Sequence, residues 1–302
     1  MKNLKTNFMG IPLRNPIIAG ASNLCLDLSN LKKMEEAGAA AVVFKSLFEE
    51  QIQYENYEMD KVMEGYNERH AEMLRLFPDI DHAGPAEHIV MLEKAVKSLS
   101  IPVFASLNAV NPETWPEWAL QLSRTGIAGL ELNFYAIPGD FNATSRDIID
   151  AQLKAVSDVK QRVNLPLSVK LSPYYTNPLG NMRRMTESGA NGFVLFNRFF
   201  QPDIDIETEK HTTPYNLSNA DDFRLALRFS GLLYGRLHAG ICASNGVYSG
   251  KEVIKLLLAG ADCVQVVSTL YKNGLGHIQT MLSELETWMD SKGYESIDEF
   301  KG

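Results

Sequence analysis

The sequence predicts an α/β fold, a closed (βα)8 TIM barrel with eight parallel strands, each followed by a helix. Two recurring phrases predict it: a helix that ends at a glycine before a short apolar run, and a short apolar run that begins at a proline. Interleaved, they place eight strands along 302 residues. We expect one domain over residues 1–302. An open doubly wound sheet is the alternative, but no GxGxxG turn follows the first strand.

The first phrase occurs four times. It reads EEAGAAAVVF (Glu35–Phe44), SRTGIAGLEL (Ser123–Leu132), TESGANGFVL (Thr186–Leu195) and LLAGADCVQV (Leu257–Val266). Each glycine stands where a helix needs a left-handed residue at its C-terminal end. The apolar runs that follow have few polar alternates, which is typical of strands buried on both faces of a parallel sheet.

The second phrase supplies the other strands. It reads NPIIAG (Asn15–Gly20), IPVFASL (Ile101–Leu107) and LPLSVKL (Leu165–Leu171), and HAGICAS (His238–Ser244) completes the set without a proline. Proline is tolerated at the first position of a strand because its missing N–H is not needed there. The preceding segment TNFMGIPLRNP predicts an N-terminal hairpin.

Helical segments separate the strands. They are Leu28–Ala37, Ala86–Ser98, Pro112–Arg124, Ser145–Val163, Pro178–Ser188, Ala220–Arg236, Lys251–Ala259 and Gly276–Ser291. Several have the apolar spacing of an amphipathic helix, as at Ile89, Leu92 and Val96. Two connections exceed normal loop lengths, Ser46–Pro85 and Arg198–Asn219. Both follow strands, so we expect them at the C-terminal mouth of the barrel, where substrate loops are built.

Composition limits the class of protein. A net charge of −8 and a pI near 5.4 give no indication of a nucleic-acid partner. The N-terminus lacks an apolar signal region and runs such as Ala39–Phe44 are too short to cross a bilayer, so we expect a cytoplasmic protein without a membrane partner. Cys25, Cys242 and Cys263 form an odd set without metal-ligand spacing, and we interpret them as small buried residues. The six histidines lack a pattern such as HExxH, so we predict no metal.

Polar residues stand at the C-terminal ends of the predicted strands. They are Gly20-Ala21-Ser22, Lys45-Ser46, Ser106 with Asn108, Asn133, Lys170 with Ser172, Asn197, Ser244-Asn245-Gly246 and Ser268-Thr269. A buried lysine is costly unless it meets an anion or a strong acceptor. Lys45 and Lys170 therefore favour a ligand that carries or develops negative charge. The alternative is that each lysine extends to solvent at the rim.

The last two strand ends predict a phosphate site. ASNGV (Ala243–Val247) and VST (Val267–Thr269) each precede a helix. Small residues and the free N–H groups of a helix start form an anion site, and barrels commonly bind phosphate after strands seven and eight. Ordinary N-capping by serine and asparagine is a compatible alternative.

Taken together, these motifs resemble the class 1 dihydroorotate dehydrogenases, which are FMN-containing barrels. The resemblance rests on NPIIAGAS, FKS, LELN, SVKLSPY, the asparagine after the sixth strand, ASNGV, GADCVQVVSTLYKNG and GYESIDEFKG, and it covers nearly the whole chain. It implies oxidation of dihydroorotate to orotate in pyrimidine biosynthesis, a small-molecule substrate and a homodimer. The FMN-binding residues that it implies are Gly20, Ala21, Lys45, Ser46, Asn133, Lys170, Asn197, Asn245, Gly246, Ser268 and Thr269.

The resemblance also implies roles for particular side chains. Lys170 matches the lysine beside the flavin ring, where a fixed cation stabilises the charge that the ring gains on reduction. We predict it to be catalytic. Lys45, Asn133 and Asn197 match substrate-binding positions, and amide groups suit the polar edges of a flat heterocycle.

The substrate side departs from the family. The cysteine or serine base that follows the fourth strand is replaced by Ala136, which cannot transfer a proton, and Tyr135 is the neighbouring candidate for that role or for a pocket wall. The family phrase N-S-M-G has no clear counterpart in Gly65–Pro78, where the loose candidates are Tyr66, Asn67 and Arg69. A glycine pair before the sixth helix is replaced within Asn216–Asn219.

Three functions stay open from the sequence. The leading one is an FMN-dependent oxidoreductase that acts on a C–C or C=C bond of a small heterocycle. The second is a flavin-free aldolase-type lyase with a Schiff base on Lys170 or Lys45. The third is a flavin-binding protein without turnover.

Overall fold

The computed structural model of the chain describes residues 2–49, 52, 85–134, 140–198, 203–212 and 217–302. Eight parallel strands form a closed barrel. They are β3 (Ile17–Ala19), β4 (Ala41–Val43), β6 (Val103–Asn108), β7 (Gly129–Asn133), β8 (Leu167–Leu171), β9 (Gly192–Leu195), β12 (Gly240–Ser244) and β13 (Cys263–Val266). The first strand, β3, pairs with both β4 and β13, which closes the cylinder. The predicted fold and all eight predicted strands are confirmed.

Helices surround the barrel. They are α1 (Leu28–Glu36), α2 (Pro85–Ser98), α3 (Thr114–Ser123), α4 (Ser145–Arg162), α5 (Pro178–Glu187), α6 (Phe223–Leu233), α7 (Gly250–Leu258), the short α8 (Ser268–Asn273) and α9 (His277–Lys292). The glycines that follow α1 and α7 have the predicted left-handed conformation, with φ of 106° at Gly38 and 95° at Gly260. None of the helices in the described ranges is long and apolar enough to cross a membrane.

The predicted N-terminal hairpin is present and closes the N-terminal end of the barrel. It consists of the antiparallel strands β1 (Thr6–Phe8) and β2 (Ile11–Leu13). The Phe8 side chain is buried there, and a Cβ atom at Gly192 or Gly240 would lie within 3 Å of its ring. Both glycines open barrel strands, so their lack of a side chain makes room for the hairpin.

Further strands lie outside the cylinder. The two-residue β5 (Leu47–Phe48) pairs with β6, and an exposed hairpin of β10 (Asp203–Asp205) and β11 (Lys210–Thr212) lies in the connection after β9. As predicted, the three cysteines are buried, and their thiols are free. Burial raises the pKa of Cys25 to about 11, so its thiol is inert at neutral pH.

Candidate active site

A cleft of about 340 Å³ opens at the carboxyl ends of the barrel strands. This volume falls within the range of small-molecule sites, roughly 300–1,000 Å³. The described residues that line it are Ala21, Ser22, Asn23, Lys45, Ser46, Phe48, Asn133, Lys170, Phe196, Asn197, Arg198, Leu217, Ser218, Ser244, Asn245, Gly246, Val247, Gln265, Val266, Val267 and Ser268. The cleft therefore gathers side chains from strands that are distant in sequence, at the end where barrel enzymes bind their ligands.

The described lining residues carry positive but no negative side-chain charge. Three cationic side chains line the cleft, Lys45, Lys170 and Arg198, and no aspartate or glutamate is among the described lining residues. Arg198 donates to Asp222 at 2.5 Å, a carboxylate that does not line the cleft. Burial lowers the pKa of Lys45, and no hydrogen-bond or ion-pair partner is found for its ammonium within the described ranges. An anionic ligand is the natural partner for such a lining.

Lys170 lies at the floor of the cleft, and its residue is 9% exposed. Its Nζ donates to Gln265 Oε1 at 3.2 Å and lies 3.9 Å from Glu131 Oε1. It therefore does not extend to bulk solvent at the rim. Strand alternation explains this direction, because Lys170 stands two residues after Ser168, which is also buried in the barrel.

Two buried asparagines form a pair beside Lys170. Asn197 Nδ2 donates to Asn133 Oδ1 at 2.5 Å and lies 3.5 Å from the Lys170 carbonyl oxygen. Asn108 Nδ2 donates to the Asn133 backbone carbonyl at 2.7 Å. These bonds leave Asn133 Nδ2 and Asn197 Oδ1 unused within the described ranges. A donor and an acceptor are thus available next to the ammonium.

The opposite end of the cleft is built from hydroxyls and backbone N–H groups. Ser218 Oγ donates to Ser268 Oγ at 2.9 Å, and the Gly246 N–H donates to Ser218 Oγ at 3.2 Å. The backbone turns sharply here, with φ of 72° at Asn245 and 64° at Gly246. Asn245 Nδ2 donates to the Phe196 carbonyl at 2.8 Å, which ties the loop after β12 to the loop after β9.

Most of the predicted site residues meet at this cleft. Those that line it are Ala21, Lys45, Ser46, Asn133, Lys170, Asn197, Asn245, Gly246 and Ser268. Gly20 and Thr269 do not line it. A Cβ atom at Gly20 would lie 2.8 Å from Val267 Cγ2, so this glycine allows close packing of two strand ends. Thr269 is fully buried, and its hydroxyl donates to the Tyr248 carbonyl at 3.2 Å.

Five residues that the sequence singles out on the substrate side lie outside the described ranges. They are Tyr66, Asn67, Arg69, Tyr135 and Ala136. The roles considered for them stay predictions.

The sequence reasoning missed Ser218, Gln265 and Glu131. Ser218 and Gln265 line the cleft, and Glu131 lies beneath its floor with 1% exposure. The sequence did contain a pattern that indicates Glu131 and Gln265. Glu131 and Gln265 are the single polar residues inside the apolar strand runs GLEL and CVQV, and a polar residue in a doubly buried strand must find a partner.

Comparison with known proteins gives a consistent result. The family model described as dihydroorotate dehydrogenase matches residues 83–289. The catalytic subunit of dihydroorotate dehydrogenase B (NAD(+)) from Thermoplasma volcanium is 27% identical, with 100% of this chain and 98% of that protein covered. The corresponding subunit from Methanosarcina acetivorans is 28% identical, with 98% of this chain and 94% of that protein covered. Dihydroorotate dehydrogenase A (fumarate) from Lactobacillus helveticus is 23% identical, with 100% of this chain and 98% of that protein covered.

Proposed function

Because the chain belongs to the dihydroorotate dehydrogenase family, we propose that it is an FMN-dependent oxidoreductase that acts on a carbon–carbon bond of a small heterocycle. Dihydroorotate and orotate are the first pair to test. The observation that carries the proposal is the cleft itself, whose described lining includes three cationic side chains and two buried asparagines and no aspartate or glutamate.

The chemistry of the lining fits FMN, which brings a phosphate and a ring that becomes negative on reduction. The Ser268 hydroxyl would donate to the phosphate, because it accepts from Ser218 in the described structure and keeps its own hydrogen for a ligand, and the small residues Ser218 and Gly246 allow close approach. Lys170 would lie beside the ring. Because no aspartate or glutamate is among the described lining residues, such a ligand would meet less repulsion at the surface of the cleft.

When bound, FMN supplies hydride chemistry, taking a hydride from a substrate carbon or returning one. The protein's own residues then have three tasks. Lys170 provides a fixed positive charge at the cleft floor, where negative charge develops. Asn133 and Asn197 orient a flat heterocycle through their unused amide groups. Lys45 attracts an anionic substituent of the substrate.

Dehydrogenation also requires a base, because a proton leaves the substrate while the hydride is transferred. Alanine stands at position 136, where the resembling family has cysteine or serine, and it cannot accept a proton. This departure favours a substrate or a direction of reaction in which another group handles the proton. It is also the observation that keeps a flavin-binding protein without turnover as the second candidate.

The first experiment is a visible spectrum of the purified protein. We expect a yellow protein that releases FMN on denaturation and changes its spectrum when orotate is added. A colourless protein that takes up no added FMN would refute the proposal. Borohydride trapping of a carbonyl substrate on Lys170 or Lys45 would instead support the aldolase-type lyase.

The second experiment restores the base. In the Ala136→Cys variant we expect reduction of the flavin by dihydroorotate to be about 10²–10⁴-fold faster than in wild type, the usual contribution of a positioned base. Fumarate and NAD⁺ are the acceptors to test, since the names of the relatives carry them. Ala143→Cys, at an exposed position, is the matched control. If no dihydropyrimidine or unsaturated acid changes the flavin faster than oxygen does, the binding-only function is favoured.

The oligomeric state and cellular location stay predictions. We expect a homodimer in the cytoplasm, and light scattering of the purified protein measures the first directly. A monomer at micromolar concentration would contradict it.

A further inference from the structure

Glu131 is a buried carboxylate without a role in the proposed chemistry. It stands on β7 two residues before Asn133, so both side chains point into the barrel. Its residue is 1% exposed and does not line the cleft. A carboxylate at this depth is costly unless its charge is matched.

The groups around Glu131 match that charge. Gln265 Nε2 donates to Glu131 Oε2 at 2.6 Å, and Ser106 Oγ donates to Glu131 Oε1 at 3.5 Å. Lys170 Nζ, 3.9 Å from Glu131 Oε1, is the cation in ion-pair range of Glu131 within the described ranges. The carboxylate thus receives two donors and faces one ammonium.

The Gln265 amide connects the carboxylate to the ammonium. Its NH₂ group faces Glu131, and its carbonyl oxygen accepts from Lys170 Nζ at 3.2 Å. The flipped amide would put the carbonyl against the carboxylate and the NH₂ against the ammonium, and both contacts would be repulsive. Glu131 therefore determines the orientation of the amide, and the oriented amide determines where the ammonium is held.

We propose that Glu131 is a positioning residue that acts through Gln265 to hold the Lys170 ammonium at the cleft floor. The role rests on the proposed function, because a fixed cation at this place serves a ring that gains electrons. Glu131 itself touches no ligand. Its influence on a bound group passes through Lys170.

The test measures the reactivity of Lys170 in the full-length protein. Wild type and Glu131→Gln are labelled with trace acetic anhydride between pH 6 and 11, and mass spectrometry quantifies acetylation of the peptide that contains Lys170. Removal of an opposite charge about 4 Å away favours the neutral, reactive amine. We expect labelling of Lys170 at a fixed pH near neutrality to rise about tenfold or more, with its pH profile displaced to lower pH.

Asp262→Asn is the matched control, because Asp262 pairs with Lys301 far from the cleft. It should increase labelling of Lys301 and leave Lys170 at the wild-type rate. An unchanged Lys170 profile in Glu131→Gln, with the same unfolding temperature as wild type, would overturn the proposal. So would an equal rise at Lys170 in the Asp262→Asn control.

A second variant keeps the proposal testable if Glu131→Gln does not fold. Gln265→Met removes the amide but keeps the side-chain length, and labelling of Lys170 should again rise severalfold because its hydrogen-bond acceptor is lost. No rise would contradict the proposed route. Addition of FMN to the wild-type protein tests the cofactor separately. A chain that labels as expected but binds no FMN would refute the proposed function, and the labelling would still show that Glu131 positions Lys170.

Discussion

His88 offers a quantitative test of the structure around the cleft. It lies on α2 with 6% exposure, and its ring packs edge-on against Phe44 at a centroid distance of 5.2 Å. Among the residues that the structure describes, none forms a hydrogen bond with its Nε2. Burial, together with the nearby positive charge of Lys45, lowers the pKa of His88 from 6.5 to about 4. The native state therefore holds the ring neutral.

The sign and size of the effect follow from this pKa. Between about pH 6.5 and 4 the unfolded chain binds a proton at His88 that the folded chain does not, so stability falls as the pH falls. The stability that the neutral His88 ring gives the folded protein is fully present above pH 6.5 and is lost as the pH approaches 4. Titration of His88 over the whole interval lowers the free energy of unfolding by about 3 kcal/mol. The change from pH 7.5 to pH 5 accounts for about 2 kcal/mol of this loss.

The assay is urea unfolding of wild type and His88→Leu at pH 7.5 and pH 5. Leucine removes the titrating ring and keeps an apolar side chain of similar size. We expect the variant to lose about 2 kcal/mol less stability than wild type over this interval. His238→Gln, at an exposed histidine, should keep the wild-type dependence. Parallel losses in wild type and His88→Leu would refute the reasoning, because they would mean that His88 titrates normally in the folded protein.

Three further predictions concern the cleft. Lys170→Met should slow reduction of the bound flavin about 10²–10³-fold, as removal of one electrostatic stabiliser does, and anaerobic stopped-flow measurement at equal FMN content checks it. Lys45→Met should weaken orotate binding about tenfold or more in a spectral titration, because it removes a cation that has no ion-pair partner in the described part of the chain. Unchanged affinity would place the anion elsewhere. Gly246→Ala should lower the free energy of unfolding by about 2 kcal/mol or more, because φ is 64° and the added Cβ would lie 2.7 Å from the Asn219 carbonyl oxygen. A decrease in melting temperature smaller than that of the exposed control Gly235→Ala would contradict this prediction.

The substitutions separate binding from turnover. Loss of FMN from Gly246→Ala with retained fold would assign the loop after β12 to the phosphate. Retained FMN with slow reduction in Lys170→Met would assign the ammonium to the ring. Together they test the two ends of the cleft independently.

The barrel could be predicted because its signals are local. The glycine at position 38 or 260 ends a helix through its own backbone preference, and the apolar run that follows is short enough to be read as a strand. The lysines and asparagines at strand ends could be placed around one cleft because parallel strands of a barrel all end at the same face. The cationic lining was therefore implied by the order of residues along the chain.

The polar network beneath the cleft was decided by the tertiary structure. Glu131 and Gln265 are 134 residues apart, and only closure of the barrel brings their side chains to 2.6 Å. Packing also explains why Gly20 and Thr269 do not line the cleft. The side chain of Val267 leaves no space for a Cβ atom at Gly20, and the Thr269 hydroxyl donates to the Tyr248 carbonyl. Sequence thus determined which groups reach the mouth of the barrel. Tertiary packing decided which atoms these groups face. A hydrogen bond between distant strands forms or fails on distance differences of a few tenths of an ångström, and no local sequence pattern records such differences.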